Sequence, residues 1–367
     1  AEGRGGMAPP PVPLRARMTA VVGALVLTPD TALMRLTKMQ TNSRWYTAWG
    51  IVFYRGFGRL ILLPPLWMVA KGASPREFAR VARHLGWRHL CGGALLYTIQ
   101  NVAFIVAANL TFIASVLAIL ATGPLMSCFA AKAFLGESVP RHTWIAAVVC
   151  AACVLVLFSD AFVERRDDDE NTPATRDHLV GNFVALIVPA ALALYWTACK
   201  SAKKDADMIP ALALSGLIGG SLATLVVLGN VPFQRNENQN QNQNQNESVL
   251  SPLMPTPPAD DGGVAIAALV TQTLSVAVAF ALLTLGAKDV PSAEVSLIML
   301  IELALGPLLV WAAVGEMPTW RVWLGAAGVL ATMAAESFAA VADERREGSA
   351  DYSSAERETG GSGDAAA

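Results

Sequence analysis

Charged and strongly polar side chains are scarce in the long apolar stretches of this sequence, so the few found there carry whatever chemistry it has. Asp30 follows Thr28-Pro29 in the first stretch, and Arg55 and Arg59 lie in the second. Gln100 and Asn101 lie in the third, Gln272 in the eighth, and Glu302 stands between Ile301 and Leu303 in the ninth. An ionisable group inside hydrocarbon is expensive, and it faces a bundle interior or a water-filled cavity. Arg55 and Arg59 are one helical turn apart and share a face. Either could attract an anionic or carboxylate-bearing solute or pair with an acid; the alternative is that both snorkel to the headgroups. Pro29 can free backbone carbonyls beside Asp30, which suits a ligand-binding break in a helix. The competing role for Asp30 is an interfacial acid paired to Arg35. Glu302 is the most buried acid by pattern and could relay a proton, bind a cationic group or serve as a structural partner of Arg55. Glu294 falls near a helix end and is expected to be wet. Gln100, Asn101 and Gln272 offer uncharged hydrogen bonds, either to a solute or between helices, where such bonds are worth about 1 kcal/mol. Tyr97 and Trp196 could form an aromatic wall or simply pack, and Glu336 and Asn182 are further polar residues within spans.

Other chemistries lack their residues. There is no HExxH, P-loop, GxGxxG or GxSxG pattern. The histidines (His84, His89, His142 and His178) are scattered near segment ends. Cys150 and Cys153 have the spacing of a metal or redox pair, but inside the apolar run 145–158 they read as small packing residues. No metal, cofactor or nucleic-acid partner is expected, and no enzymatic activity.

The elements that must position these groups follow from composition. Of 367 residues, 54% are hydrophobic and 15% charged, and the mean hydropathy is +0.44; soluble domains average about 45–50% and about 25%. Apolar spans are predicted over 18–36, 45–69, 90–108, 111–131, 142–160, 179–199, 208–230, 263–286, 292–314 and 320–341. Residues 90–131 must be two spans, because a single helix would be about 60 Å long, twice the hydrocarbon thickness. The predicted fold is therefore all-α, a polytopic membrane protein. The tails 1–17 and 342–367 read as disordered. A polar loop covers 161–178 and contains Asp167-Asp168-Asp169-Glu170. Residues 231–261 form an Asn/Gln-rich loop with no hydrophobic means of folding, and Asn246-Glu247-Ser248 within it fits a glycosylation acceptor. With a cytoplasmic N-terminus, about twice as many Lys and Arg fall on the cytoplasmic side as on the other, so both termini are expected there.

The two halves of the sequence match at a constant offset. Ala114-Ser115-Val116 aligns with Ala293-Glu294-Val295, Gly136-Glu137 with Gly315-Glu316, and Trp144 with Trp323. The repeating unit has five helices, over 18–160 and 179–341. Five is odd, so the second copy enters the membrane from the opposite side. Ten transmembrane helices in two inverted five-helix repeats is a recurring transporter architecture, because the halves can exchange conformations. Glu137 and Glu316 each precede the final helix of a repeat, where a carboxylate can accept N–H bonds at the helix start. Pro124 and Pro307, each after a glycine, are expected to bend their spans, and the small residues of 325–335 suit close helix contact.

The segments AANLTFIASVLAILATGPLMSCFAAKAFLGESVPRHTWIAAVVCAACVLVLF and SAEVSLIMLIELALGPLLVWAAVGEMPTWRVWLGAAGVLATM resemble the EamA domain of the drug/metabolite transporter superfamily. The shared pattern is a span with small residues and a proline, a Leu-Gly-Glu-like turn, then a small-residue helix. The resemblance covers 18–341. It implies a ten-helix secondary carrier of small organic solutes working by alternating access within the lipid bilayer, without naming the solute. Proton coupling through Glu302 or Asp30, uniport and exchange all stay open. The competing classes are a membrane scaffold or receptor and a lipid-acting membrane enzyme.

Overall fold

In the computed structural model, the described residues are 13–30, 48–110, 113–136, 139–157, 175–202, 206–238, 262–314 and 319–336, with single positions at 33, 159, 338, 339 and 342. Almost all of them are helical. Segments rich in Leu, Ala, Val and Ile can satisfy every backbone donor and acceptor internally as helices, the one open-ended arrangement that hydrocarbon tolerates. The helices are α1 (Leu14–Leu27), α2 (Ala48–Lys71), α3 (Pro75–Leu85), α4 (Trp87–Leu110), α5 (Ile113–Leu120), α6 (Gly123–Ala130), α7 (Arg141–Leu157), α8 (Thr175–Ser201), α9 (Ile209–Asn238), α10 (Gly262–Gly286) and α11 (Ser292–Val314). A final helix, α12, covers 320–336. A π-helical turn, Ala131–Leu135, extends α6 and closes on Gly136, whose φ of +66° is left-handed.

Five stretches are long and apolar enough to cross a membrane: Trp87–Ala108, Ser115–Leu135, Leu179–Ser201, Ile209–Val226 and Leu269–Gly286. The chain is thus a polytopic all-α membrane protein. Its surface has the matching polarity. Ile61, Ile145, Phe183 and Leu225 point outward along their helices, Phe183 with 70% of its area exposed, while Arg55, Arg59, Gln100, Asn101 and Gln272 are buried. A soluble domain would show the reverse.

Side-chain contacts fix the topology. Arg17 in α1 pairs with Glu294 at the start of α11, and His89 in the first turn of α4 lies 3.3 Å from Ser201 at the end of α8. Trp67 near the end of α2 donates to Asp207 just before α9, and Lys288 after α10 is 4.0 Å from the same carboxylate. These contacts gather one end of the bundle, called the N-terminal end below. Laterally, helices of the first half pack chiefly on helices of the second: α1 on α10, α2 on α9, α4 on α8 and α6 on α11. Small residues allow close approach. A Cβ added at Gly56 of α2 would stand 2.6 Å from the Gly220 nitrogen of α9, and one at Gly328 of α12 would stand 2.6 Å from Cys153 Sγ of α7.

Some boundaries differ from the sequence expectation. Residues 14–17 belong to α1 rather than to a disordered tail, and α9 continues to Asn238, into the segment expected to be loop. Asn246 and the acidic run Asp167–Glu170 lie outside the described residues. The link between α2 and α4 contains a helix the sequence reading passed over. Ser74 caps α3 through the Glu77 N–H, Glu77 returns a bond to the Ser74 N–H, and Pro75 starts the helix. Pro124 lies in the first turn of α6, at the interruption around Ala121-Thr122 that separates α5 from α6. Pro307 is carried within α11, which runs without a break. Glu137, Gly315 and Glu316 lie outside the described residues.

Candidate functional site

α1 ends at Thr28, whose hydroxyl donates to Ala24 O at 3.0 Å, and Asp30 follows just beyond the C-terminal end of that helix. There it meets Arg55 of α2. One guanidinium nitrogen, Nη2, donates to both carboxylate oxygens at 2.7 and 2.8 Å, and both side chains are buried. Asp30 is therefore paired to Arg55; Arg35, the partner expected from the sequence, lies outside the described residues. Arg55 likewise takes Asp30, not Glu302, as its acid.

One turn further along α2, at the middle of the helix, Arg59 is 1% exposed. Snorkelling is excluded for both arginines, because neither reaches a surface. Arg59 Nη1 donates a long bond, 3.4 Å, to Asn101 Oδ1, and its guanidinium carbon lies 4.7 Å from the centroid of the Tyr97 ring. Its Nε and Nη2 have no hydrogen-bond partner, nor do Asn101 Nδ2 and Gln100 Oε1. Asn101, Gln100 and Tyr97 are carried by α4, and α4 is held against α8 and α9.

Tyr97 and Trp196 are fully buried, so neither faces lipid. Tyr97 makes edge contacts with Tyr195 and with Phe280, while Trp196 stacks on Phe280 at an interplanar angle of 8°. The Tyr195 hydroxyl is 2.9 Å from Thr284 Oγ1. These four rings, from α4, α8 and α10, form a layer in which Tyr97 meets Arg59. Gln272 of α10 is fully buried. Glu302 of α11 is only partly buried, less so than Asp30, Asp207, Glu294 or Glu336, which corrects the expectation that it is the most buried acid. It lies close enough to Asp30 and Arg55 for their charges to interact.

A second polar group sits toward the N-terminal end. Glu294, expected to be wet, is 5% exposed and accepts from Arg17 Nε at 2.8 Å. Glu336 of α12 is also buried and accepts from Thr143 of α7 at 3.3 Å, and the hydroxyls of Ser127 and Ser296 are bonded to each other. Asp207, which sequence reading missed, accepts from Trp67 Nε1 at 2.9 Å and from the Ile209 N–H at 3.2 Å. The signal for it was an acid placed just before an Ile-Pro helix start. Two apolar grooves, of about 390 and 240 Å³, flank α8 and touch none of the candidate residues; openings of this kind occur between bundle helices.

Residues 179–335 match the EamA-like transporter family. A solved crystal structure is similar over 89% of this chain and 98% of its own, with a TM-score of 0.60 and 16% identity, which is a likeness of fold. The comparison with curated proteins gives no match. With the inside-out polarity of its helices, the protein is a polytopic membrane protein that carries an EamA-like domain over residues 179–335.

Proposed function

We propose that the protein is a secondary carrier that moves a small organic solute by alternating access, with its solute site in the polar centre formed by Asp30, Arg55, Arg59, Gln100, Asn101, Gln272 and Glu302. The observation that carries the reading is the convergence of buried ionisable and amide side chains from α1, α2 and α4, with Glu302 of α11 beside them, inside a bundle whose outer surface is apolar. Groups this expensive to bury mark solute or ion pathways.

The ten-helix architecture in two inverted repeats belongs to the same proposal. Counting α5 and α6 as one span, and leaving out the interfacial α3, gives five helices up to α7 and five from α8 onward. The helix pairings support the duplication. If each span is exchanged for its counterpart, α1 on α10 becomes α8 on α4, while α2 on α9 and α6 on α11 map onto themselves. Both termini are assigned to the cytoplasm, which places basic α3, with Arg76, Arg80 and Arg83, on that side. Glu137 and Glu316 are assigned to capping the last helix of each repeat.

Glu302 is the group we assign to proton coupling. It is partly open and neighbours an ion pair, so the charge of the centre changes when it takes a proton. The test is uptake by purified protein in liposomes, screened across a broad metabolite mixture. Wild type is expected to accumulate at least one solute, and Glu302→Gln to lower that uptake or abolish its pH dependence while the protein remains folded. Unchanged uptake at every pH removes Glu302 from the mechanism.

A further inference from the structure

The polar centre holds two acids, Asp30 and Glu302, and two arginines, Arg55 and Arg59, yet a single ion pair forms among them. Asp30 commits both carboxylate oxygens to Arg55, and Glu302 lies beside that pair. Arg59 forms no ion pair among the described residues, although it is the most deeply buried cation there. An uncompensated charge in a low-dielectric interior is strongly unfavourable and is tolerated where a partner arrives.

The free part of Arg59 has a defined shape. Asn101 occupies Nη1, and the Tyr97 ring lies against the guanidinium. The two nitrogens without partners, Nε and Nη2, form the opposite edge. On that edge the two N–H bonds are parallel, the fork that takes both oxygens of a carboxylate at once. Asn101 Nδ2, also without a partner, adds a donor next to it.

We infer that Arg59 is the anion anchor of the site, and that the transported solute is a small organic monocarboxylate bound through the Nε/Nη2 edge. The inference rests on the carrier reading and names the substrate class for it. A monoanion matches the one arginine of the centre that has no ion pair among the described residues. Arg55 plays no direct part in this recognition, because Asp30 already neutralises it.

The experiment measures thermal unfolding of the purified protein in detergent with acetate, lactate and benzoate, each against its own amide. At least one carboxylate is expected to raise the unfolding midpoint saturably, with no rise from the matching amide. Arg59→Gln is expected to lose that response. Arg59→Lys keeps the charge without the fork, and should need at least about tenfold more carboxylate, given the strength of charge-assisted bonds. The carboxylate–amide comparison in wild type needs no variant to fold. Equal stabilisation by amides, an undiminished response in Arg59→Gln, or no saturable response to any carboxylate overturns the inference. Liposome flux separates it from the carrier reading. Uptake of neutral or cationic solutes without any carboxylate response leaves the carrier and removes the anion anchor. Carboxylate binding with no flux of any solute leaves the anchor and removes the carrier.

Discussion

Asp30 and Arg55 are 25 residues apart in sequence and meet only because α1 and α2 present these positions to each other. Removing one member of a buried ion pair strands the other charge, which typically costs about 3–5 kcal/mol, whereas replacing both with neutral groups is far milder. Asp30→Asn and Arg55→Gln are each expected to lower the unfolding midpoint in detergent substantially, and the double variant to lose clearly less than the two losses added. Additive losses in a double-mutant cycle would show that the pair does not act as a unit. Which residues mattered was legible in the sequence, since a charge in a long apolar run is conspicuous. Which residues met was not. The Asp30 partner could equally have been Arg35, and Glu294 looked solvent-facing because it begins a helix. Its burial depends on Arg17, 277 positions away, which no local pattern reveals.

At the scale of elements, the positions of the arginines depend on how closely α2 can approach its neighbours. Gly56 lies one residue from Arg55, and its hydrogen faces Gly220 of α9 at a distance where a methyl group does not fit. Gly56→Ala is expected to push α2 from α9 and to lower both the unfolding midpoint and solute uptake. Gly92 of α4 is a control, since a Cβ there meets nothing within 4 Å. Gly92→Ala should be neutral or stabilising by up to about 1 kcal/mol, because alanine favours helix over glycine by that amount. Equal effects of the two substitutions would remove close α2–α9 packing from the account. Helix positions were largely legible, because apolar runs of this length have few alternatives. α3 is too polar to stand out by hydropathy, although Ser74-Pro75-Arg76-Glu77 carries a complete helix-start signature. The contact glycines were hidden for a different reason: a glycine that touches another helix and one that faces open space, such as Gly56 and Gly92, look alike in sequence.

At the scale of the whole molecule, the buried ion pairs lie toward opposite ends. Asp30–Arg55 joins the end of α1 to the first third of α2, while Arg17–Glu294 and the Asp207 contacts with Trp67 and Lys288 hold the N-terminal end. Each links helices from different packing pairs, α1 with α2 and α1 with α11, so each ties together bodies that could otherwise separate. Under the proposed alternating access one end opens while the other stays closed, so these pairs are expected to break in turn. The N-terminal end gives a direct test. In a variant lacking Cys91, Cys128, Cys150, Cys153 and Cys199, Arg17→Cys and Glu294→Cys are introduced together and joined by a short, reducible bifunctional thiol reagent. Uptake into liposomes is expected to fall on cross-linking and to return on reduction, with either single cysteine unaffected by the reagent. If cross-linked protein transports at the full rate, α1 and α11 do not part at this end, and a rocking motion between them is excluded. The carrier would then have to open along another helix boundary, with the pairs at Asp207 the next to be joined.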